Sequence, residues 1–284
     1  MKLLTVHLPD DHNLFFFGDA HHDSPMSSES GWETLCNMMH SEYDGCKNNY
    51  GAEGGDDIEA INPDDGRYSE ELMKTPLPLA QMRHAVERRK SIAPMMLYKL
   101  KGNHEEHHWA FGDIMEQMCL DLGVPYGTWT TKMTVTDKRG KLMYKTFDEH
   151  GRKQVSSSSD DPKRRRVNMQ LILKRHLKYK AGDCAVMIKH HTHKLLVCKP
   201  ESEVYLTDDG NHIHQSYTGW GQNEPYIHPD ARWYGNAGSF LKLYIDGITG
   251  YAERAEYDPV ELGFLVLKVR DRKIISLDPV YLQI

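Results

Sequence analysis

Four short groups of histidine, carboxylate and amide residues are the part of the chain best suited to chemistry. Asp19 and His21 are separated by one residue, as are His191 and His193, so in an extended chain each pair projects both side chains to one side. Oxygen and imidazole donors without a thiolate suit divalent ions such as Mn, Fe, Zn, Ni or Co. Each pair is therefore a candidate metal chelate. The four groups read GDAH at 18–21, GDDIE at 55–59, GNHE at 102–105 and HTH at 191–193.

Each group also has an ordinary structural explanation. A Gly-Asp pair is common in turns and helix caps, and Asn103 could cap a helix that starts beside it. His191 and His193 could be exposed strand residues. However, all four groups follow predicted strands, and the carboxyl ends of strands are where ligands gather in layered α/β folds. The combination therefore favours one functional site over four unrelated turns.

In this order the groups resemble the motifs of the calcineurin-like metallophosphoesterase superfamily, which are GD-x-H, GD-x-x-D/E, GNH-D/E, a lone His and GH-x-H. The resemblance covers about residues 13 to 240, including NAGS at 236–239, and is greatest to phage-associated members. It implies a hydrolase that cleaves phosphoesters with two divalent ions, Mn first among them. We favour a phosphodiester in nucleic acid or a nucleotide as substrate. The alternatives are a phosphomonoesterase and a non-catalytic metal-binding scaffold of the same fold.

The resemblance also implies a set of metal ligands in which Asp56 bridges the two ions. Two cations held close together need a shared anion between them, which a bridging carboxylate supplies. The implied ligands of one ion are Asp19, His21, Asp56 and His193, and those of the other are Asp56, Asn103, His150 and His191.

Two further residues have implied roles beside the metals. His104 is placed to give a proton to the leaving oxygen or to stabilise the equatorial oxygens. Glu59 matches the carboxylate that orients this histidine. An acidic residue near a helix N-terminus is the alternative interpretation of Glu59.

The lone histidine of the family pattern has two candidates between the third and fourth groups. We choose His150 because residues 141–147 predict a strand that leads into it, and a loop, a helix and a strand then follow in the family's order. His176 is the competitor, but it shares a predicted helix face with apolar residues, which favours a core or surface role.

The chain departs from the family pattern at two places. His190 occupies the position where a Gly normally precedes the last motif, and we expect its side chain to point away from His191. Residues 48–54 lack the apolar strand expected before Gly55. Asp57 is for that reason a minor rival to Asp56.

The elements that must position these residues alternate between strand and helix in the first half of the chain. The second half is dominated by strands and turns, which indicates a mixed α/β core. From the resemblance we expect a four-layer αββα sandwich of two mixed β-sheets flanked by helices. We expect one domain over 1–284, with hairpins in about 240–284 completing the sheets. Predicted strands are 13–17, 95–101, 128–136, 141–147, 184–189, 262–270 and 273–277, and predicted helices carry Trp32 to Met39, Leu79 to Val86, Trp109 to Leu122 and Met169 to His176.

Composition limits the classes of function. The chain has 284 residues, 39% of them hydrophobic, and a formal charge of −6, which excludes a disordered chain and a general basic field for nucleic acid. Five cysteines without a C-x-x-C pair favour reduced thiols. No apolar run is long enough for a bilayer. We therefore expect no membrane partner and a cytoplasmic location, in a host cell if the protein is phage-encoded.

Any contact with a polyanion must consequently be local. The one basic run, KRRR at 163–166, is predicted as a polar loop that follows the His150 segment and could grip a phosphate-rich substrate. A solvated loop balanced by Asp160 and Asp161 is the alternative. Residues 62–75 and 156–166 are the loops expected to form the rim of the site.

Overall fold

The computed structural model describes residues 1–61, 64, 68, 74–75, 77–108, 110, 112–219 and 221–283. Two large mixed β-sheets with several helices make up this part of the chain, which confirms the predicted α/β sandwich. Trp109 and most of the predicted rim loop 62–75 lie outside the described residues.

The strands in chain order are β1 Lys2–His7, β2 His12–Phe17, β3 Asn49–Glu53, β4 Met96–Lys99, β5 Thr130–Thr136, β6 Leu142–Glu149, β7 Val186–Lys189, β8 Leu195–Cys198, β9 Val204–Asp208, β10 Ile213–Tyr217, β11 Trp233–Ala237, β12 Gly263–Arg270 and β13 Lys273–Tyr281. The helices are α1 Glu29–His40, α2 Pro78–Arg89, α3 Asn103–Glu106, α4 Ile114–Leu122, α5 Pro162–Leu177 and α6 Tyr251–Arg254.

The strand order defines a six-stranded and a five-stranded sheet. The first runs β1-β5-β6-β7-β11-β8 and the second β13-β12-β2-β3-β4, while β9 and β10 form a separate antiparallel pair. Parallel pairs are β1 with β5, β6 with β7, β7 with β11, β2 with β3 and β3 with β4. The terminal hairpin of β12 and β13 joins the second sheet through β2.

The core explains why the last four residues of β2, Leu14 to Phe17, are all apolar. Leu14 and Phe16 pack between the two sheets, whereas Phe15 and Phe17 pack on the opposite face against α1 and its Trp32. A strand covered on both faces shows a continuous apolar run and no alternation. The helices therefore lie outside the paired sheets, with α5 covering β7, β8 and β11 of the other sheet.

Three sequence-based expectations differ from the structure. The basic run 163–166 is not a loop, because it forms the first turn of α5, where Asp161 caps the helix by accepting from the Arg164 amide at 2.7 Å and Pro162 is the first helical residue. A strand, β3, does precede Gly55 despite its polar composition. The short exposed strand β1 was not predicted at all.

The topology brings the ends of several strands to one end of the sandwich. The parallel strands β2, β3 and β4 end together at Phe17, Glu53 and Lys99, and β6 and β7 end together at Glu149 and Lys189. Every one of the four motif groups begins just beyond one of these ends. No described helix combines the length and apolar composition that a membrane crossing requires.

Candidate metal centre

The loops that leave β2 and β3 are tied to each other by main-chain hydrogen bonds. The amide of Asp19 donates to the Gly55 carbonyl at 2.8 Å, and the amide of His21 donates to the Asp56 carbonyl at 3.0 Å. These bonds continue the pairing of the two strands past their ends. As a result, the first and second motif groups are held side by side.

One group of side chains with converging ligand atoms consists of Asp19, His21 and His193. Nε2 of His193 lies 3.2 Å from Oδ1 of Asp19. Nδ1 of His21 is hydrogen-bonded to the Glu59 carboxylate at 2.8 Å, which leaves its Nε2 as the atom that faces the group. That Nε2 is buried and has no hydrogen-bond partner among the described residues. An orphaned imidazole nitrogen beside a carboxylate fits a divalent cation.

A second group consists of Asp56, His150 and His191. Oδ2 of Asp56 lies 3.2 Å from Nε2 of His150. Asn103, at the start of α3, brings its Oδ1 to 3.1 Å from the same nitrogen. The residues implied as ligands of the second ion are therefore gathered in one place.

The hydrogen bond at Nδ1 of His150 determines that its Nε2 is available to bind a cation. Nδ1 lies 2.7 Å from the Gly54 carbonyl, which can only accept, so Nδ1 carries a proton. In the neutral ring the lone pair of Nε2 then faces the oxygens of Asp56 and Asn103. Three acceptors pointing at one another need a proton or a cation between them. The donor set fits a divalent ion of the borderline to hard class.

The pKa values follow from burial and from these close contacts. Burial alone would lower the pKa of His150, but the charge and hydrogen bond of Asp56 outweigh it and raise the pKa to about 9. Burial would raise the pKa of Asp19, and His193 reverses this and lowers the pKa to about 2. Burial lowers the pKa of His191 to about 4. Both carboxyl groups of the centre are thus ionised at neutral pH, since the pKa of Asp56 is also well below its usual range.

The pairing predicted from i, i+2 spacing is only half correct. Asp19 and His21 belong to one group, but His191 and His193 are divided between the two groups, which is the division that the resemblance implies. Their backbones are also not extended, since Asp19, His21, His191 and His193 all have φ between 47° and 75°. This left-handed conformation is uncommon for residues other than glycine, although Asp and His tolerate it best. The turns, rather than a strand pleat, aim these side chains.

Asp56 lies in the second group, and the first group contains Asp19, His21 and His193 without it. Its role as a bridge between two ions therefore remains a prediction. The rival, Asp57, points elsewhere. Its carboxylate lies 2.5 Å from Nζ of Lys99 and 3.3 Å from Nη2 of Arg89, in a fully buried ionic network that also contains Glu53.

His104 lies against the first group, with its ring centroid 4.6 Å from that of His21 and its plane perpendicular. Its Nδ1 is hydrogen-bonded to the main-chain carbonyl of Glu59. The Glu59 carboxylate is hydrogen-bonded to Nδ1 of His21, and ligand atoms of Glu59, His21 and His104 lie within 4.8 Å of one another. Residue 59 thus orients His104 through its backbone, and its carboxylate positions a predicted metal ligand.

Glu105 has a role that the sequence analysis did not find. Its buried carboxylate accepts hydrogen bonds from the amides of Asp56 at 3.2 Å, Asp57 at 2.7 Å and Gly102 at 2.9 Å. This holds the turn that carries Asp56 against the end of β4. Burial and the nearby charge of Asp56 raise the pKa of Glu105 to about 7. Its position directly after GNH was the available signal.

His190 points away from the two groups, as its register predicts. Its Nε2 lies 3.0 Å from Oδ1 of Asp148, whose other oxygen accepts from Tyr98 at 3.0 Å. The ring fills the space above Gly18 and Gly54, where a Cβ on Gly54 would overlap it. His176 lies on α5, outside both groups.

No protein-family model matches the chain, and no curated protein sequence matches it. Among solved structures, one similar structure is that of a conserved uncharacterized protein of Streptococcus pneumoniae, described as a predicted phosphoesterase. It is 11% identical, with a TM-score of 0.31, over 95% of this chain and 98% of that chain. Similarity at this level does not assign a function.

Proposed function

We propose that this protein is a phosphoesterase that uses two divalent metal ions to hydrolyse phosphodiester bonds. The observation that carries the proposal is the pair of adjacent ligand groups at one end of the sandwich, each containing a carboxylate and two imidazoles. Their resemblance to the calcineurin-like motifs supports the same assignment. Asp19, His21 and His193 would hold one ion, Asn103, His150 and His191 the other, and Asp56 would contact both.

Divalent ions in such a centre supply positive charge that neutralises the oxygens of the phosphoryl group and lower the pKa of water. The protein's own residues provide position and protons. Because Nδ1 of His104 is held by the Glu59 carbonyl, its Nε2 is the atom that exchanges a proton with the leaving oxygen. Glu105 keeps Asp56 in place through the amides of the same turn.

The test is hydrolysis of an aryl monoester, an aryl diester, a cyclic nucleotide and single-stranded DNA by purified protein with Mn²⁺. We expect the diesters to be cleaved faster than the monoester. With Mn²⁺, the Asp56→Asn variant should hydrolyse each substrate no faster than the metal-free wild type does. Preference for the monoester would instead favour a phosphomonoesterase. Metal binding without hydrolysis of any substrate would favour the non-catalytic scaffold.

A further inference from the structure

A groove of about 470 Å³ is lined in part by residues that are close in sequence to predicted metal ligands. Four cationic side chains line it: Lys163, Arg165 and Arg166 from the first turn of α5, and Lys194 from the turn before β8. We call it the basic groove. In a chain whose formal charge is −6, four cations in one concave surface are a local exception that attracts anions.

The basic groove and the metal centre share two segments of chain. Lys194 directly follows the predicted ligand His193, so their Cα atoms are about 3.8 Å apart. On the other side, Nε2 of Gln154 lies 3.4 Å from Nε2 of His191, and Ser156, two residues later, lines the groove. Short stretches of chain thus connect the groove to the metal centre on two sides.

The cations in the groove are not neutralised by close carboxylates. Within the described part of the chain, Lys163, Arg166 and Lys194 form no ion pair within 4 Å, and Arg165 donates to the main-chain carbonyls of Ser159 and Asp160. The carboxylates of Asp258 and Glu261 also line the groove, so cations outnumber anions there.

Helix stability does not explain this arrangement. The N-terminal turn of a helix favours negative side chains, because its free amides carry partial positive charge. Lys163, Arg165 and Arg166 add positive charge at that end of α5. Their position is unfavourable for the helix and favourable for an anion.

We propose that the basic groove binds the phosphate backbone of a single-stranded polynucleotide whose scissile phosphate lies at the metal centre. Apolar side chains, among them Met169, Leu195 and Val260, also line the groove and suit the faces of unpaired bases and sugars. The inference rests on the proposed function, because it assigns the groove to the same substrate.

The test uses a matched pair of variants on one helix turn. Lys163→Gln combined with Arg166→Gln removes two cations of the groove, while Arg164→Gln removes a neighbouring exposed cation that does not line it. Arg164 takes part in the cap of α5 only through its amide, which donates to Asp161, so its side chain can be changed without loss of the cap. Binding of dye-labelled single-stranded DNA to the metal-free protein in EDTA is measured by fluorescence anisotropy over a range of salt concentrations, independently of turnover.

We expect the double variant to bind the DNA more weakly and to reduce the slope of log affinity against log salt by about 0.7 for each lost phosphate contact. Arg164→Gln should retain the slope of the wild type. With Mn²⁺, the ratio of kcat/KM for DNA to that for bis-nitrophenyl phosphate should also fall in the double variant only.

A loss in Arg164→Gln that equals the loss in the double variant per charge removed would overturn the proposal, because it would show an effect of net charge alone. Tighter binding of a duplex than of the single strand would also overturn it. If the protein bound DNA as expected but hydrolysed no phosphoester, the proposed function would fail while the groove assignment held.

Discussion

His150 shows how a single hydrogen bond prepares a side chain for a metal. The Gly54 carbonyl fixes the proton on Nδ1 and directs Nε2 towards Asp56 and Asn103. We expect His150→Ala to lose about one of the two bound ions and most of the activity, because its ligand atom is not replaced. Elemental analysis and a phosphodiesterase assay measure both effects.

His176→Ala is the matched control for this prediction. It removes the other histidine considered for the same role, which lies on α5 outside the ligand groups. This variant should keep its metal content. Loss of metal in His176→Ala and retention in His150→Ala would show that His176 is the ligand and that the position of His150 at a strand end does not identify the ligand.

The contribution of His104 should depend on the leaving group. An alkyl or sugar oxygen needs a proton to leave, so His104→Ala should reduce kcat by roughly 10²- to 10⁴-fold for such a diester. A nitrophenolate leaves as a stable anion, and the loss there should be much smaller. Paired diesters of different leaving-group acidity at saturating Mn²⁺ provide the measurement. Equal losses would assign His104 to charge stabilisation or positioning.

Glu59 should act on metal affinity, because its carboxylate contacts His21 rather than serving only His104. Removing a carboxylate that orients a ligating histidine typically lowers metal affinity about 10–100-fold. We expect a loss of this size in Glu59→Gln, measured by titration with Mn²⁺, without the leaving-group dependence of His104→Ala. The same dependence in both variants would mean that the carboxylate acts through His104.

At the scale of elements, β2 and β6 link the two sheets through a buried polar pair. Nδ1 of His12 donates to the Pro9 carbonyl at 2.7 Å, and its Nε2 accepts from the hydroxyl of Tyr144 at 2.7 Å. Burial lowers the pKa of His12 to about 4, whereas the unfolded chain titrates near 6.5. The unfolded state therefore takes up the proton first as the pH falls.

We expect the unfolding free energy to fall between pH 6.5 and pH 4 by up to about 3 kcal/mol through this group alone. Above pH 6.5 the contribution of His12 to the unfolding free energy is fully present, and below pH 4 it does not change further. Urea unfolding of the wild type and of His12→Gln across this range isolates the effect as a difference. A difference that stays constant with pH would contradict it.

The sequence predicted the elements that have a strong hydrophobic period. It missed elements whose polar or charged side chains interrupt that period. β2, α1 and the hairpin of β12 and β13 were found because their apolar residues pack at regular positions. β3 was not, since Asn49 in it uses its side-chain amide to donate to the carbonyls of Met38, Met39 and Ser41 at the end of α1. The first turn of α5 was mistaken for a loop because its charges outweighed the Asp-Pro capping signal.

The candidate site was predictable in its residues and less so in its geometry. Motif order picked out the side chains that the structure gathers. It did not show that left-handed turns aim them, or that Glu105 braces the turn of Asp56, because both depend on contacts between distant segments.

For the molecule as a whole, each ligand group draws residues from both sheets. Asp19 and Asp56 follow strands of the five-stranded sheet, whereas His150, His191 and His193 follow strands of the six-stranded sheet. Metal binding should therefore stabilise the packing of one sheet on the other. At about 100 times the dissociation constant, one bound ion adds about 2.7 kcal/mol.

For a chain of this size we expect saturating Mn²⁺ to raise the Tm by roughly 5–10 °C and EDTA to reverse the shift. Thermal unfolding followed by circular dichroism measures it, with Asp56→Asn as the comparison. An equal shift in that variant would place the stabilising ion elsewhere.

The fit of His190 over Gly54 sets an order in which this protein can change during evolution. A side chain at position 54 overlaps the imidazole, so Gly54→Ala is excluded while His190 is present and becomes permissible only after a small residue has replaced it. Replacing His190 first leaves Oδ1 of Asp148 without its hydrogen bond, while Tyr98 still donates to Oδ2. The two positions are thus epistatic, because position 54 can accept a side chain only after position 190 has changed.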